Sequence, residues 1–201
     1  MQIKKVLKKD IPLIVEVHKN SFKDFFLTEL GDHFLTLYYD SVRENKNGIL
    51  LGYYDEDKLF GFCAATTFSK GFNMQLIKKN FFRFLLIGMR LLLTRMPSLI
   101  RLFKNFSKKS SSINDTGEYA ELLSIGVSDK KQGMGIGKKL LIELEKEMQL
   151  KHCSRLSLTT DYDDNDKAIG FYKGLGYEIY YDFIAYPNRK MYRMIKKLTN
   201  V

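Results

Sequence analysis

The chain has 201 residues, 45% of them hydrophobic and 28% charged, enough apolar material for one ordinary core and too much for a disordered chain. Its formal net charge of +10 favours acidic partners such as nucleic acid, anionic lipid or a polyphosphate cofactor, without choosing among them. Cys63 and Cys153 lie far apart and His18, His33 and His152 are scattered, so no metal site is expected, and no apolar run reaches the roughly 18 residues of a membrane span.

Residues 3–6 predict a first strand. No apolar stretch follows the charged N-terminal residues, so no secretory signal is expected and the expectation is a cytoplasmic protein. Asp10 is placed to cap a helix with Pro12 in its first turn, and Ile11, Ile14, Val15 and His18 recur at helical spacing. A second helix is predicted from Thr28 to Glu44, on the recurrence of Leu30, Phe34, Leu37, Tyr38 and Val42. Residues 48–54 and 59–68, around the acidic turn at 55–58, read as a hairpin.

Residues 70–115 differ from the rest. Between Lys70 and Asn114 stand ten of the 33 Lys and Arg and no Asp or Glu, so the other 23 basic residues balance the 23 acidic ones and the whole net charge belongs to this segment. Helices are predicted over about 74–95 and 97–106, followed by a polar tail at 107–112.

Beyond it, residues 119–127 read as a strand, 135–150 as an amphipathic helix, 156–160 as a strand, 165–173 as a short helix, and 177–185 and 191–197 as closing strands. Strands alternating with helices imply a mixed α/β sheet. The strand ending at Val127 runs through Ser128–Lys131 into Gln132-Gly133-Met134-Gly135-Ile136-Gly137 and then a helix beginning with Lys138. Glycines let backbone amides approach an anion, a helix N-terminus offers unpaired N–H groups, and Lys138 can add charge, so this turn is a candidate phosphate cradle. It is not a Walker loop, because Lys139 stands where Ser or Thr is needed and Gln132 where the first glycine is needed; the dinucleotide fingerprint fails because its third glycine would be Lys138.

What remains, Gln132-x-x-Gly135-x-Gly137 between a strand and a helix, resembles the coenzyme A-binding motif of the GCN5-related N-acetyltransferase family. A second stretch, Asn165-x-x-Ala168-x-x-Phe171-Tyr172 followed by Gly176-Tyr177, resembles that family's later signature, in the right order and at a typical separation. The resemblance covers nearly the whole chain except residues 70–115. It implies one domain over residues 1–201 with the α/β acyltransferase fold: a mixed, mostly antiparallel sheet flanked by helices, central strands splayed to admit coenzyme A, and a helical insertion between the third and fourth strands.

The resemblance also implies roles. Backbone amides of Gln132, Gly133, Met134, Gly135, Ile136 and Gly137, with Lys138 beside them, would hold the pyrophosphate of acetyl-coenzyme A. Ile125 and Val127 would pair through main chain with the pantetheine arm, and Asn165 would contact the same arm. Tyr172 would protonate the departing thiolate, against the alternative of a packed core tyrosine. Glu121 is the candidate base or water-ordering acid, with Glu118 as the alternative. In a regular strand Glu121 shares a face with Leu123 and Ile125; a bulge changes that. The cluster Asp161, Asp163, Asp164 and Asp166 lacks the glycine and distal Glu of a calcium loop.

The expected activity is acetyl transfer from acetyl-coenzyme A to a small-molecule primary amine by direct attack, with an amino sugar or sugar nucleotide as a possible acceptor. The alternatives are a coenzyme A-binding module without catalysis, and a membrane-surface or nucleic-acid-associated protein using the basic insertion. No nucleic-acid recognition motif accompanies the charge. The insertion has three readings: a wall or lid of the acceptor site, a peripheral contact with a membrane surface or an anionic polymer, or a dimer interface, the chain being monomer or homodimer accordingly.

Overall fold

A computed structural model describes residues 1–23, 25–94, 96–97, 100, 104 and 115–198. Seven strands form one sheet: β1 (Gln2–Lys5), β2 (Gly48–Asp55), β3 (Lys58–Thr66), β4 (Ala120–Val127), β5 (Arg155–Asp161), β6 (Glu178–Ala185) and β7 (Arg189–Lys197), in the order β1-β2-β3-β4-β5-β7-β6. Every neighbouring pair is antiparallel except β4 with β5. The described helices are α1 (Ile11–Ser21), α2 (Phe26–Glu29), α3 (Asp32–Glu44), α4 (Phe72–Lys79), α5 (Phe81–Thr94), α6 (Ile136–Leu150) and α7 (Asp166–Lys173).

The sheet separates two cores. On one face Ile136, Leu140, Leu141, Leu144 and Met148 of α6 meet Leu51, Cys63, Leu122, Leu156 and Leu158; these α6 residues recur every three or four positions, the stripe a helix needs to lie on a sheet. On the other face α1, α3 and α4 bury Ile14, Val15, Leu35, Tyr39 and Leu76 against Leu50, Phe62 and Ala64. Both cysteines are free thiols, Cys63 buried and Cys153 half-buried. No described helix is long and apolar enough to cross a membrane.

The elements follow the sequence reading with three local corrections. The helix expected over 28–44 is divided into α2 and α3 at Gly31, whose φ of 83° starts a new helix rather than continuing the old. The helix expected over 74–95 breaks at Asn80, where the side-chain amide donates to Ser41 Oγ at 3.1 Å and ties the junction to α3. Asp10 precedes α1 but does not cap it, because its carboxylate accepts instead from Tyr54 Oη at 3.0 Å. The helix expected over 97–106 and the tail at 107–112 fall almost wholly outside the described residues. The insertion joins β3 to β4, the third and fourth strands.

Two irregularities shape the centre of the sheet. β4 and β5 pair only over Ala120–Leu122 and Leu156–Leu158, whereas β4 stays paired with β3 as far as Val127. Beyond Leu122 the two parallel strands therefore part, and a cleft opens at the sheet edge where both strands end. A bulge also interrupts β4: Ser124 faces Ala64 and Leu122 faces Ala65, leaving Leu123 without a partner on β3.

Candidate active site

The bulge decides which side chains share a face. Ala120 and Leu122 lie in the α6 core, Leu123 packs into the α1/α3 core, and Ser124 also points to that side, where its Oγ is 3.0 Å from Tyr39 Oη. Ile125 and Val127 then return to the α6 side. Glu121 thus shares a face with Leu123, as a regular strand requires, but not with Ile125, because the extra residue reverses the alternation.

The glycine-rich turn leads from β4 into α6. Gly133 and Gly135 have φ of 77° and 74°, the left-handed region that side chains disfavour, so the backbone itself calls for glycine there. Gly137 is different. It is helical, and a Cβ added to it would meet only Phe171 Cζ at 3.8 Å and Val127 Cγ2 at 3.9 Å, ordinary contacts. Nothing in the packing of the described residues requires glycine at that position, which leaves the helix end open to the close approach of an anion. The first helical hydrogen bond runs from Lys139 N–H to Gly135 C=O, so the N–H groups of Ile136, Gly137 and Lys138 have no partner within the helix. The first turn carries no acidic side chain, and Lys138 and Met134 are exposed. These features fit a pyrophosphate. Gln132 folds back, its Nε2 donating to Asp129 Oδ1 at 3.1 Å and approaching the Val127 carbonyl at 3.4 Å, which also accepts from Ser21 Oγ at 3.1 Å.

The second wall of the cleft is α7 and the loop before it. Asn165 precedes α7 and donates through Nδ2 to Thr160 Oγ1 at 2.6 Å and to the Asp161 carbonyl at 3.1 Å, which fixes the end of β5. Phe171 reaches toward Gly137 and Val127 across the cleft. Tyr172 is buried between Phe171 and Tyr177, with ring centroids 5.2 and 5.9 Å away. Its hydroxyl makes no hydrogen bond to another described residue, and burial pushes that hydroxyl up to about 12.

Glu121 stands where β4 and β5 part, in a cluster that the sequence did not suggest. Arg193 of β7 donates from Nη1 to Glu121 Oε1 at 2.6 Å and to Ser157 Oγ at 3.1 Å, while Ser69 Oγ donates to Glu121 Oε2. The Glu121 and Arg193 side chains are 17% and 14% exposed. Beside them Tyr119 and Tyr181 both donate to Asp115. Burial alone would raise the Asp115 carboxyl; the hydrogen bonds from both phenols and from Gly117 N–H, with nearby Arg193, outweigh it and hold the group below its usual range. Glu118 lies apart, an exposed residue before β4 whose carboxylate is 3.6 Å from Lys70 Nζ.

Under the bulge, His18 Nδ1 is 2.6 Å from Tyr39 Oη, which continues to Ser124. Burial lowers the His18 imidazole to about 4, so at neutral pH it is uncharged. At the cleft mouth the β6–β7 turn brings aromatic and basic groups together: Lys190 Nζ lies 3.9 Å from the Tyr162 ring centre, Arg189 is ion-paired with Asp161 and 4.6 Å from the Phe25 ring, and Lys104 of the insertion lies 4.3 Å from the Tyr186 ring. Among the described residues no group of three His, Cys, Asp or Glu is placed to hold a metal.

Residues 15–177 match the model of the Acetyltransferase (GNAT) family. The fold is similar to that of the ribosomal-protein-S18-alanine N-acetyltransferase of Escherichia coli, with TM-score 0.63 at 13% identity over 100% of this chain and 95% of that one. It is similar to aminoglycoside 6'-acetyltransferase type Ii, with TM-score 0.61 at 19% identity over 99% and 98% of the two chains. It also resembles the PaiA N-acetyltransferase of Thermoplasma acidophilum, solved in complex with coenzyme A, with TM-score 0.54 at 17% identity over 98% of each chain. No curated protein matches the sequence.

Proposed function

The chain belongs to the GNAT acetyltransferase family, and on that premise we propose that it moves an acetyl group from acetyl-coenzyme A to a primary amine by direct attack. Bound acetyl-coenzyme A supplies the acetyl group as an activated thioester. The observation that carries the reading is the space at Gly137, beside three N–H groups without helical partners and at the mouth of the split between β4 and β5. Gln132 to Lys138 would hold the pyrophosphate, the edge of Ile125 to Val127 that β5 leaves unpaired would align the pantetheine arm, and Asn165 steadies the opposite wall.

Tyr172 is the acid. A phenol held near 12 keeps its proton at Oη throughout the working range, and a hydroxyl that donates to no other described residue can give that proton to a leaving sulfur. Glu121 is the proton acceptor. Both its oxygens already accept one hydrogen bond, but a carboxylate has about four lone-pair positions, so it orders a water between itself and the amine. Arg193 and Ser69 hold that carboxylate in place.

The acceptor in this reading is an amino sugar, free or as its nucleotide. The support is the aromatic and basic make-up of the mouth: partly exposed Tyr162 and Tyr186 carry Lys190 and Lys104 over their rings, Lys190 also lying 3.3 Å from Asp182, so a sugar phosphate would bind there by exchanging these contacts for its own. The test is calorimetric titration with acetyl-coenzyme A, then a free-thiol assay across amines and amino-sugar nucleotides. Saturable binding with thiol release for an amino sugar is expected. Binding without release for any amine would reduce the chain to a coenzyme A-binding module, and absence of binding would overturn the assignment of the cradle.

A further inference from the structure

Helix α5 has three sides. Phe84, Ile87 and Leu91 turn inward onto Leu30, Phe34 and Tyr38, with the Phe34 and Phe84 rings 5.9 Å apart, so this side anchors the helix to α3. At 100° per residue, Phe81, Phe82, Leu85, Leu86, Met89 and Leu93 occupy a separate sector. They are open to solvent: Phe82 is 77% exposed, Leu86 67% and Leu93 90%. Arg83 and Arg90 fall together on the third side, next to that apolar sector. A continuous apolar strip of this kind on a folded chain calls for an occupant.

We propose that α5 is a docking surface for an anionic phospholipid membrane, lying in the plane of the interface with its apolar sector among the acyl chains and Arg83 and Arg90 at the phosphates. Charge selects this occupant. The segment from Lys70 to Asn114 holds ten Lys and Arg and no acidic residue, so it carries the entire net charge of the chain. A second copy seated on the same strip through a two-fold contact would bring one such segment against another, with no acid in either to offset the repulsion. An anionic bilayer meets both needs at once, burying the apolar strip and neutralising the cations. The 14 residues of α5 extend about 21 Å, well under the roughly 30 Å of a bilayer core, so the helix lies on the surface. Its packing on α3 means that the helix is already folded when it docks.

Sedimentation with vesicles tests this. The full chain is mixed with vesicles of equal parts phosphatidylglycerol and phosphatidylcholine, or of phosphatidylcholine alone, at low and high salt. The expected result is pelleting with the anionic vesicles only, weakened as salt rises. The double variant Leu86→Asp with Leu93→Asp, changed only at open positions, should lose pelleting while its circular dichroism and coenzyme A titration stay as in the parent. Arg83→Gln with Arg90→Gln should lower vesicle affinity on the order of 10-fold. No pelleting at low salt, or pelleting that the double Asp variant leaves unchanged, overturns the proposal. So does a parent chain that sediments as a dimer, stays off the vesicles and becomes monomeric in the Asp variant, since the strip would then belong to a second copy.

Discussion

Replacing Gly137 by Ala separates what the fold needs from what the ligand needs. The added Cβ would sit 3.8 Å from Phe171 Cζ and 3.9 Å from Val127 Cγ2, so it costs nothing in packing. Alanine is favoured over glycine in a helix by up to about 1 kcal/mol, through the smaller freedom of the unfolded chain. Stability should therefore rise by roughly 0.5 kcal/mol at this end position, a Tm increase of about 1–2 °C for a chain of this size. Coenzyme A affinity should move the other way. A methyl group between the helix end and a phosphate removes at least one charge-assisted hydrogen bond, about 1.5–3 kcal/mol or roughly 10- to 150-fold in Kd. Gly135→Ala is the contrast. At φ of 74° a side chain is strained, so this variant should lose about 1 kcal/mol of stability even without ligand. Thermal melts and calorimetric titration of the two variants read both quantities. Unchanged affinity in Gly137→Ala would refute the close approach at that position, and a lower Tm would refute the packing argument.

Other outcomes follow from the same geometry. Tyr172→Phe should lower kcat by about 100-fold or more with Kd for coenzyme A within about two-fold, because only the hydroxyl is removed; unchanged turnover in the thiol assay would take the acid role away from it. Arg193→Met leaves a largely buried Glu121 without its cation and should cost about 3 kcal/mol in urea unfolding, whereas a loss below about 1 kcal/mol would mean that solvent already screens the pair. His18 is held near 4 when folded, against about 6.5 when unfolded. The unfolded chain therefore binds the extra proton, and stability falls as pH drops from 6.5 toward 4, by up to about 3 kcal/mol from this group. His18→Gln should flatten that part of the stability-versus-pH curve, and a slope equal to the parent's would place its origin elsewhere.

The part of the molecule that carries the glycine-rich turn was legible in the sequence because its elements are neighbours in the chain. A strand, a turn with glycines at 133, 135 and 137, and an amphipathic helix follow one another within 31 residues, 120–150, and local rules of conformation place them without help from the rest of the fold. The same holds for Asn165 through Tyr177, and for the position of the basic insertion between β3 and β4. Helix breaks were less legible. Periodicity runs straight through Gly31 and Asn80, and only the tie from Asn80 to Ser41 marks the second junction.

The cluster around Glu121 depends on contacts between distant residues. Arg193 reaches Glu121 across 72 positions, Tyr181 reaches Asp115 across 66, and Tyr39 reaches Ser124 across 85. No spacing or composition signals such pairs, because they exist only once β7 has joined β5 and α3 has packed on the sheet. The bulge at Leu123 is of the same kind: residues 120–127 read as an ordinary alternating strand, and the extra residue shows itself only in the register against β3. The sequence alone therefore determined the fold class and the unit of strand, glycine-rich turn and helix, which are set by short-range chain geometry. Tertiary structure alone decided which face Glu121 occupies and what holds it, because those are set by the pairing of strands and helices far apart along the chain.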